Sequence, residues 1–359
     1  MSTKELTFSH PAGKLRCATF LVMLAFSLSF GKTDLLVFLL SGQSNMCGAG
    51  LVSELPSELN KPHDSVLIYL ASEGDASKKG KWLTLEPGFG SSMLPQQPNQ
   101  GKPCFGPELP FGKTISDSLP AVKIAIIKDA VSGTSLAESN NGWRPPSSGG
   151  TVGSLYSNMM KHIKDALGSL DTSKYTIHMG GFVWLQGEFD AMNSSQANAY
   201  ETNLTNLIKD IRDTLNTEDL PVILPMIDVQ SVWSQNAKVR AADIAVRNKL
   251  KNVDTLDTKG FETDGIHYKA KGVIKIGRIA AERWLNMHYF APVPVISVSR
   301  NTSRPIAIFN GELSFFDCAG RKINLSKNRI LNGNHNISSG FLLIGKNETG
   351  YHKKLNVTR

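Results

Sequence analysis

Ser44, Asp264 and His267 are the residues whose types and spacing could do chemistry together. Hydrolysing an ester needs an activated hydroxyl, a base to take its proton and a group to orient that base. Ser44 offers the hydroxyl from the turn SGQSN, which ends the apolar run Leu35–Leu40. Asp264 and His267 stand three residues apart in TDGIHY, close enough for one loop to present both. Each piece has a plainer reading. SGQSN alone is an ordinary polar turn, since Gly, Ser and Asn are the usual turn residues, and DGIH alone is a surface turn before a helix. A second acid, Glu188, sits in WLQGEFD. Paired with Asp264 it could serve a glycosidase, whose two carboxyl groups lie roughly 5–10 Å apart across a sugar, but Ser44 and His267 would then have no task. His267 is the one imidazole among the candidates, and no CxxC or Cys/His spacing occurs, so neither a metal nor another cofactor is expected.

The elements that must position these residues read as alternating strands and helices. Leu35–Leu40 is too short to span a membrane and suits a strand buried on both faces. Ser44 then lies just past the carboxyl end of that strand, the edge where open α/β sheets bind ligands. Further buried strands are expected at Ser65–Leu70, Val122–Lys128, Tyr175–Leu185 and Pro221–Ile227. Helices are expected near Phe111–Ser118, Leu155–Leu167, Ala237–Leu250 and Ala270–Met287, with another capped by Ser195 that carries Tyr200, Leu204, Leu207, Ile208, Ile211 and Leu215 on one face. This alternation predicts an α/β fold, a doubly wound, mostly parallel five-stranded sheet. Ala71–Pro110, rich in Gly, Pro, Ser and Gln, reads as a long loop over the active face.

Five ordered motifs carry a resemblance: GQSNM at 42–46, GPELPFG at 106–112, SGTSL at 132–136, WLQGEFD at 184–190 and DGIH at 264–267. Together they resemble the SGNH-type hydrolases, with a flavodoxin-like sheet, and within them the sialate O-acetylesterase-like group that includes the acetylxylan esterases of carbohydrate esterase family six. The resemblance covers roughly Leu35 to Met287. It implies Ser44 as nucleophile, His267 as base and Asp264 as the orienting acid. The oxyanion donors it implies are the Ser44 and Gly133 backbone N–H groups and the Gln186 side-chain amide. Gln43, Asn45 and Glu188 are supporting residues, although in this family the acid equivalent to Glu188 has also been considered a partner of the histidine. Asp190 and Arg240 read as structural. Family members usually carry two glycines where this chain has Ser132-Gly133. The implied activity is removal of O-acetyl groups from a polysaccharide or oligosaccharide, acetylated xylan foremost. A sialate O-acetylester is the alternative substrate, and a non-catalytic carbohydrate-binding protein on the same fold is the alternative class.

Composition bounds the rest. A chain of 359 residues suggests one large domain and a smaller one. We divide it into a signal peptide at 1–31, an esterase domain at 32–290 and a C-terminal β-domain at 291–359. Lys14 and Arg16 precede the uncharged run Cys17–Phe30, which has signal-peptide length, so export or cell-surface placement is expected. The net charge of +8 is concentrated at the end, where residues 300–359 hold ten Lys or Arg against three Asp or Glu. The nearly neutral remainder argues against a nucleic-acid partner, which would require basic residues around the active face. PVPVISV, PIAIF and GFLLIG predict a small β-sandwich. FFDCAGRKINL and the Lys-rich end resemble the sorting domains of secreted bacterial enzymes, implying contact with secretion machinery or the cell surface. Asn301, Asn324, Asn336, Asn347 and Asn356 head glycosylation sequons that matter only in a eukaryotic source. Cys47, Cys104 and Cys318 remain after signal removal, an odd number, and a Cys47–Cys104 disulfide would flank the turn.

Overall fold

The structure, a computed structural model, describes residues 32–91 and 101–287 and the backbone of four short strands between 313 and 357. The expected signal peptide, Cys318 and most of the tail lie outside the described residues. By contacts the chain divides into two units, Met1–Ala291 and Pro292–Arg359.

In the first unit the elements are β1 (Thr33–Gly42), α1 (Ser44–Cys47), β2 (Gly50–Leu51), β3 (His63–Leu70), β4 (Trp82–Leu85), β5 (Cys104–Phe105), α2 (Glu108–Ser118) and β6 (Lys123–Ala130). They continue with α3 (Ser154–Gly168), β7 (Tyr175–Leu185), α4 (Ser194–Thr214), β8 (Val222–Met226), α5 (Asn236–Lys249), β9 (Val253–Asp257) and α6 (Ala270–Asn286). Seven strands form one sheet in the order β4-β3-β6-β1-β7-β8-β9. Its neighbours pair in parallel, apart from the antiparallel edge pair β3–β4.

The sheet has two strands beyond the five expected. β9, VDTLD, carries too many polar residues to show as an apolar run, and β4 is a four-residue edge strand inside the presumed loop. Short edge strands gain their stability from pairing and leave little pattern in sequence.

β1 shows why the chain winds helices on both faces. Leu35, Val37 and Leu39 point into one core, with Met159 and Ile163 of α3, Tyr200 and Leu204 of α4 and Val239 of α5. Leu36, Phe38 and Leu40 point into the other, with Phe111 of α2 and Trp284 of α6. Every second residue therefore serves the opposite face, as strand geometry dictates. Phe38 meets Phe111 and Trp284 edge to face, at centroid distances of 5.0 and 4.9 Å.

α4 is capped by Asn193 rather than Ser195, the Asn193 side chain accepting from the N–H groups of Ser195 and Gln196. In the second unit β10 (Leu313–Phe316), β11 (Lys322–Ile323), β12 (Phe341–Lys346) and β13 (His352–Val357) form one antiparallel sheet, ordered β11-β10-β12-β13. The expected strand GFLLIG falls on β12, while PVPVISV and PIAIF lie outside the described residues.

Candidate active site

Three central strands end at one level. Gly42, the last residue of β1, is in register with Ala130 of β6 and Leu185 of β7. The segments that follow carry Ser44, Ser132-Gly133 and Gln186–Glu188, so topology alone brings them to one sheet edge. Gly42 takes φ +148, and a Cβ there would sit 2.0 Å from the Leu185 carbonyl oxygen. Only glycine lets the chain turn so close to β7, and Gln43 N–H then donates to the same carbonyl at 3.0 Å. Ser44 opens the four-residue helix α1 and is 6% exposed.

Asn45 ties this turn to the loop of the histidine. Its Oδ1 accepts from the Tyr268 N–H at 3.1 Å, and its Nδ2 donates to the Ile266 carbonyl at 3.4 Å and to Glu188 Oε1 at 2.6 Å. The bonds to Ile266 and Tyr268 flank His267, which is thereby fastened to the residue next to Ser44 across more than two hundred positions of sequence. Asp264 shapes the loop from inside. Its Oδ1 accepts from the backbone N–H groups of Ile266 and His267, at 3.0 and 2.8 Å.

Gln43 and Gln186 face each other behind the turn. Gln186 Nε2 lies 2.6 Å from Asp190 Oδ2, 2.8 Å from the Thr134 carbonyl and 3.1 Å from Gln43 Oε1. An amide nitrogen has two hydrogens, and three internal acceptors already surround this one. In this structure the Gln186 amide, expected to donate to an oxyanion, is turned inward and braces the floor of the site. Asp190 also accepts from Ser135 Oγ and from the Leu136 and Ala137 N–H groups, which fixes the loop carrying Gly133. The Ser44 and Gly133 N–H groups, in contrast, donate to no protein acceptor among the described residues. Gly133 is exposed, with φ +66 and open space around it.

A family model described as carbohydrate esterase, sialic acid-specific acetylesterase, matches residues 34–286. The chain belongs to this family. It is similar to a probable carbohydrate esterase of Arabidopsis thaliana, 28% identical over 267 residues that cover 70% of this chain and 90% of the relative. A crystal structure of an Arabidopsis thaliana protein at 1.6 Å resolution superimposes with a TM-score of 0.54 and 25% identity, covering 71% of this chain and 98% of that one. The crystal structure of NanS shares the fold, with a TM-score of 0.51, 17% identity and the same two coverages.

In this carbohydrate esterase, two groups important to the site escaped sequence reasoning. Glu73 lies in the segment read as a loop, with nothing in its surroundings to mark it. Its carboxylate takes Ser132 N–H at 2.8 Å, Ser132 Oγ at 2.8 Å and Ser91 Oγ at 2.7 Å. Ser132 is thus held by an acid of its own. The second group is the buried ion pair Glu108–Lys128, 2.7 Å long with both side chains at most 1% exposed. Lys128 Nζ also donates to the carbonyls of Cys47 and Phe89, both at 2.8 Å, and Glu108 Oε1 accepts from Gly106 N–H at 2.9 Å. The pair welds the end of α1 to the GPELPFG segment.

Electrostatics separate the two candidate acids. Burial pushes the His267 imidazole below the usual histidine range, and the charges that oppose this are those of Asp264 and then Glu73. Burial likewise pushes Glu188 up to about 7, against the stabilising bond from Asn45, and its Oε2 has no hydrogen-bond partner. Glu188 Oε1 accepts from Asn45 Nδ2. Arg240 pairs with Asp257 at 2.6 Å. Cys47 and Cys104 are both buried free thiols, so they form no disulfide. Among the described residues no group of three His, Cys, Asp or Glu could hold a metal ion.

Proposed function

We propose that the chain is an exported serine acetylesterase that removes O-acetyl groups from a neutral polysaccharide, acetylated xylan foremost. The observation that carries this reading is the Asn45 bridge, which sets the His267 loop beside the Ser44 turn at the sheet edge. Ser44 Oγ attacks the acetyl carbonyl while His267, neutral at physiological pH because burial lowers its pKa, takes the proton. The oxyanion forms against the Ser44 and Gly133 N–H groups, donors of a kind worth about 3 kcal/mol each. His267 returns its proton to the departing sugar oxygen, leaving an acetyl-serine. Water, deprotonated by the same imidazole, then releases acetate and frees Ser44. Asp264 holds the histidine and stabilises its charged form.

The choice of a neutral substrate rests on sign. The acids Glu73, Asp264 and Glu188 lie around the turn, and the cation beside it, Lys128, is buried against Glu108, so a sialic acid carboxylate would meet acids rather than a cationic clamp. The second reading, a sialate O-acetylesterase, is favoured by the description of the matching family. Parallel assays decide between them. We expect kcat/KM on acetylxylan to exceed that on O-acetylated N-acetylneuraminic acid at least tenfold, and the reverse order would transfer the assignment to sialate.

A further inference from the structure

A cavity of about 280 Å³ lies beside the loop that carries Gly133 and is lined by Ala137, Glu138, Arg144, Gln196 and Asn203. We propose that it is a secondary subsite for a neutral pyranose unit of the substrate chain, distinct from the place where the acetyl group reacts. The proposal rests on the carbohydrate reading above and adds where a second sugar is held.

Position is the first argument. Glu138 and Arg144 belong to the connection from β6 to α3, and Gln196 to the first turn of α4, so the cavity opens at the same carboxyl edge as Ser44. Ala137 is four residues beyond Gly133, which limits their separation to about 14 Å of extended chain. One short oligosaccharide can therefore occupy both places.

The lining chemistry is the second argument. Arg144 Nε and Gln196 Oε1 are buried and without a hydrogen-bond partner, one an unmet donor and the other an unmet acceptor. Unpaired buried polar atoms are rare and costly enough to call for a reason. The Arg144 guanidinium donates to no acceptor among the described residues, while Glu138 uses one oxygen to accept from Gln196 Nε2 at 2.7 Å. Donors and acceptors thus converge on a space near the lower end of the usual range for ligand pockets. Sugar hydroxyls, which both donate and accept, satisfy such a set.

Charge is the third argument. Arg144 and Glu138 cancel, and the first free N–H groups of α4 are already taken by Asn193, at 2.9 and 3.2 Å. The helix end therefore offers nothing to an anion, and the lining as a whole carries no net charge to draw one in. A uronic or sialic acid unit is disfavoured here.

Titration of the full-length protein with unacetylated xylotriose, and with glucuronate as the anionic probe, tests the assignment. We expect xylotriose to bind and glucuronate to bind at least tenfold more weakly. Arg144→Ala should weaken xylotriose at least tenfold while 4-nitrophenyl acetate is hydrolysed at the wild-type rate, and Gln196→Ala should do the same if the arginine variant fails to fold. Unchanged xylotriose affinity in a folded variant, no xylotriose binding to the wild type, or tighter binding of glucuronate would each overturn the subsite. Loss of 4-nitrophenyl acetate hydrolysis by the wild type would instead defeat the esterase reading.

Discussion

Replacing Asp264 with asparagine separates charge from geometry. The side chain keeps an oxygen able to accept from the Ile266 and His267 N–H groups, so the loop should hold its shape. What disappears is the negative charge that supports the imidazolium. We expect a fall in kcat of about 100-fold or more, within the range for a disabled general base. Glu188→Gln should cost less than tenfold, because a carboxyl with a pKa of about 7 is already part-protonated near neutrality and glutamine resembles that form. Steady-state kinetics on an aryl acetate check both, and the reverse order would give Glu188 the orienting role. At this scale the sequence displayed the reactive types but not their partners. Ser44, Asp264 and His267 stood out by type and spacing. Gln186 also stood out, yet its inward-facing amide depends on Asp190 and the Thr134 carbonyl, contacts made only after folding. Glu73 left no trace, because a lone acid in a Gly/Ser-rich stretch looks like solvated surface.

Among the elements, the buried pair Glu108–Lys128 makes the strongest claim. It joins α2 and β6 to the carbonyl of Cys47 at the end of α1. Glu108→Gln would leave a buried ammonium facing a neutral amide. We expect a loss of 3–5 kcal/mol in unfolding free energy, the usual cost of breaking such a pair. Denaturant unfolding checks this, and a change below about 1 kcal/mol would show the pair to be dispensable. The long parallel strands and amphipathic helices were readable because each repeats a simple period: β1 feeds two cores with alternate residues, and α4 places Tyr200, Leu204 and Leu207 on one side. β4 and β9 were not readable. Their few residues owe their conformation to pairing with β3 and β8.

On the scale of the whole molecule, the residues proposed for catalysis all belong to the first unit, which α6 closes at Asn286. We therefore expect a chain ending at Tyr289 to fold and to hydrolyse acetyl esters at the full-length rate, as measured by circular dichroism and acetate release. Aggregation or lost turnover would show that the esterase domain depends on the tail. The fold class was legible from the strand-helix alternation. The path of the chain around its edges was not, since edge pairing and loop anchoring are long-range effects. The central claim is that Ser44 is the nucleophile. Acetate release from acetylxylan by the wild type and Ser44→Ala, without added metal, tests it most directly. We predict steady release by the wild type and a loss of at least about 10⁴-fold in the variant, as expected when a catalytic serine is removed; turnover undiminished in Ser44→Ala would contradict the account.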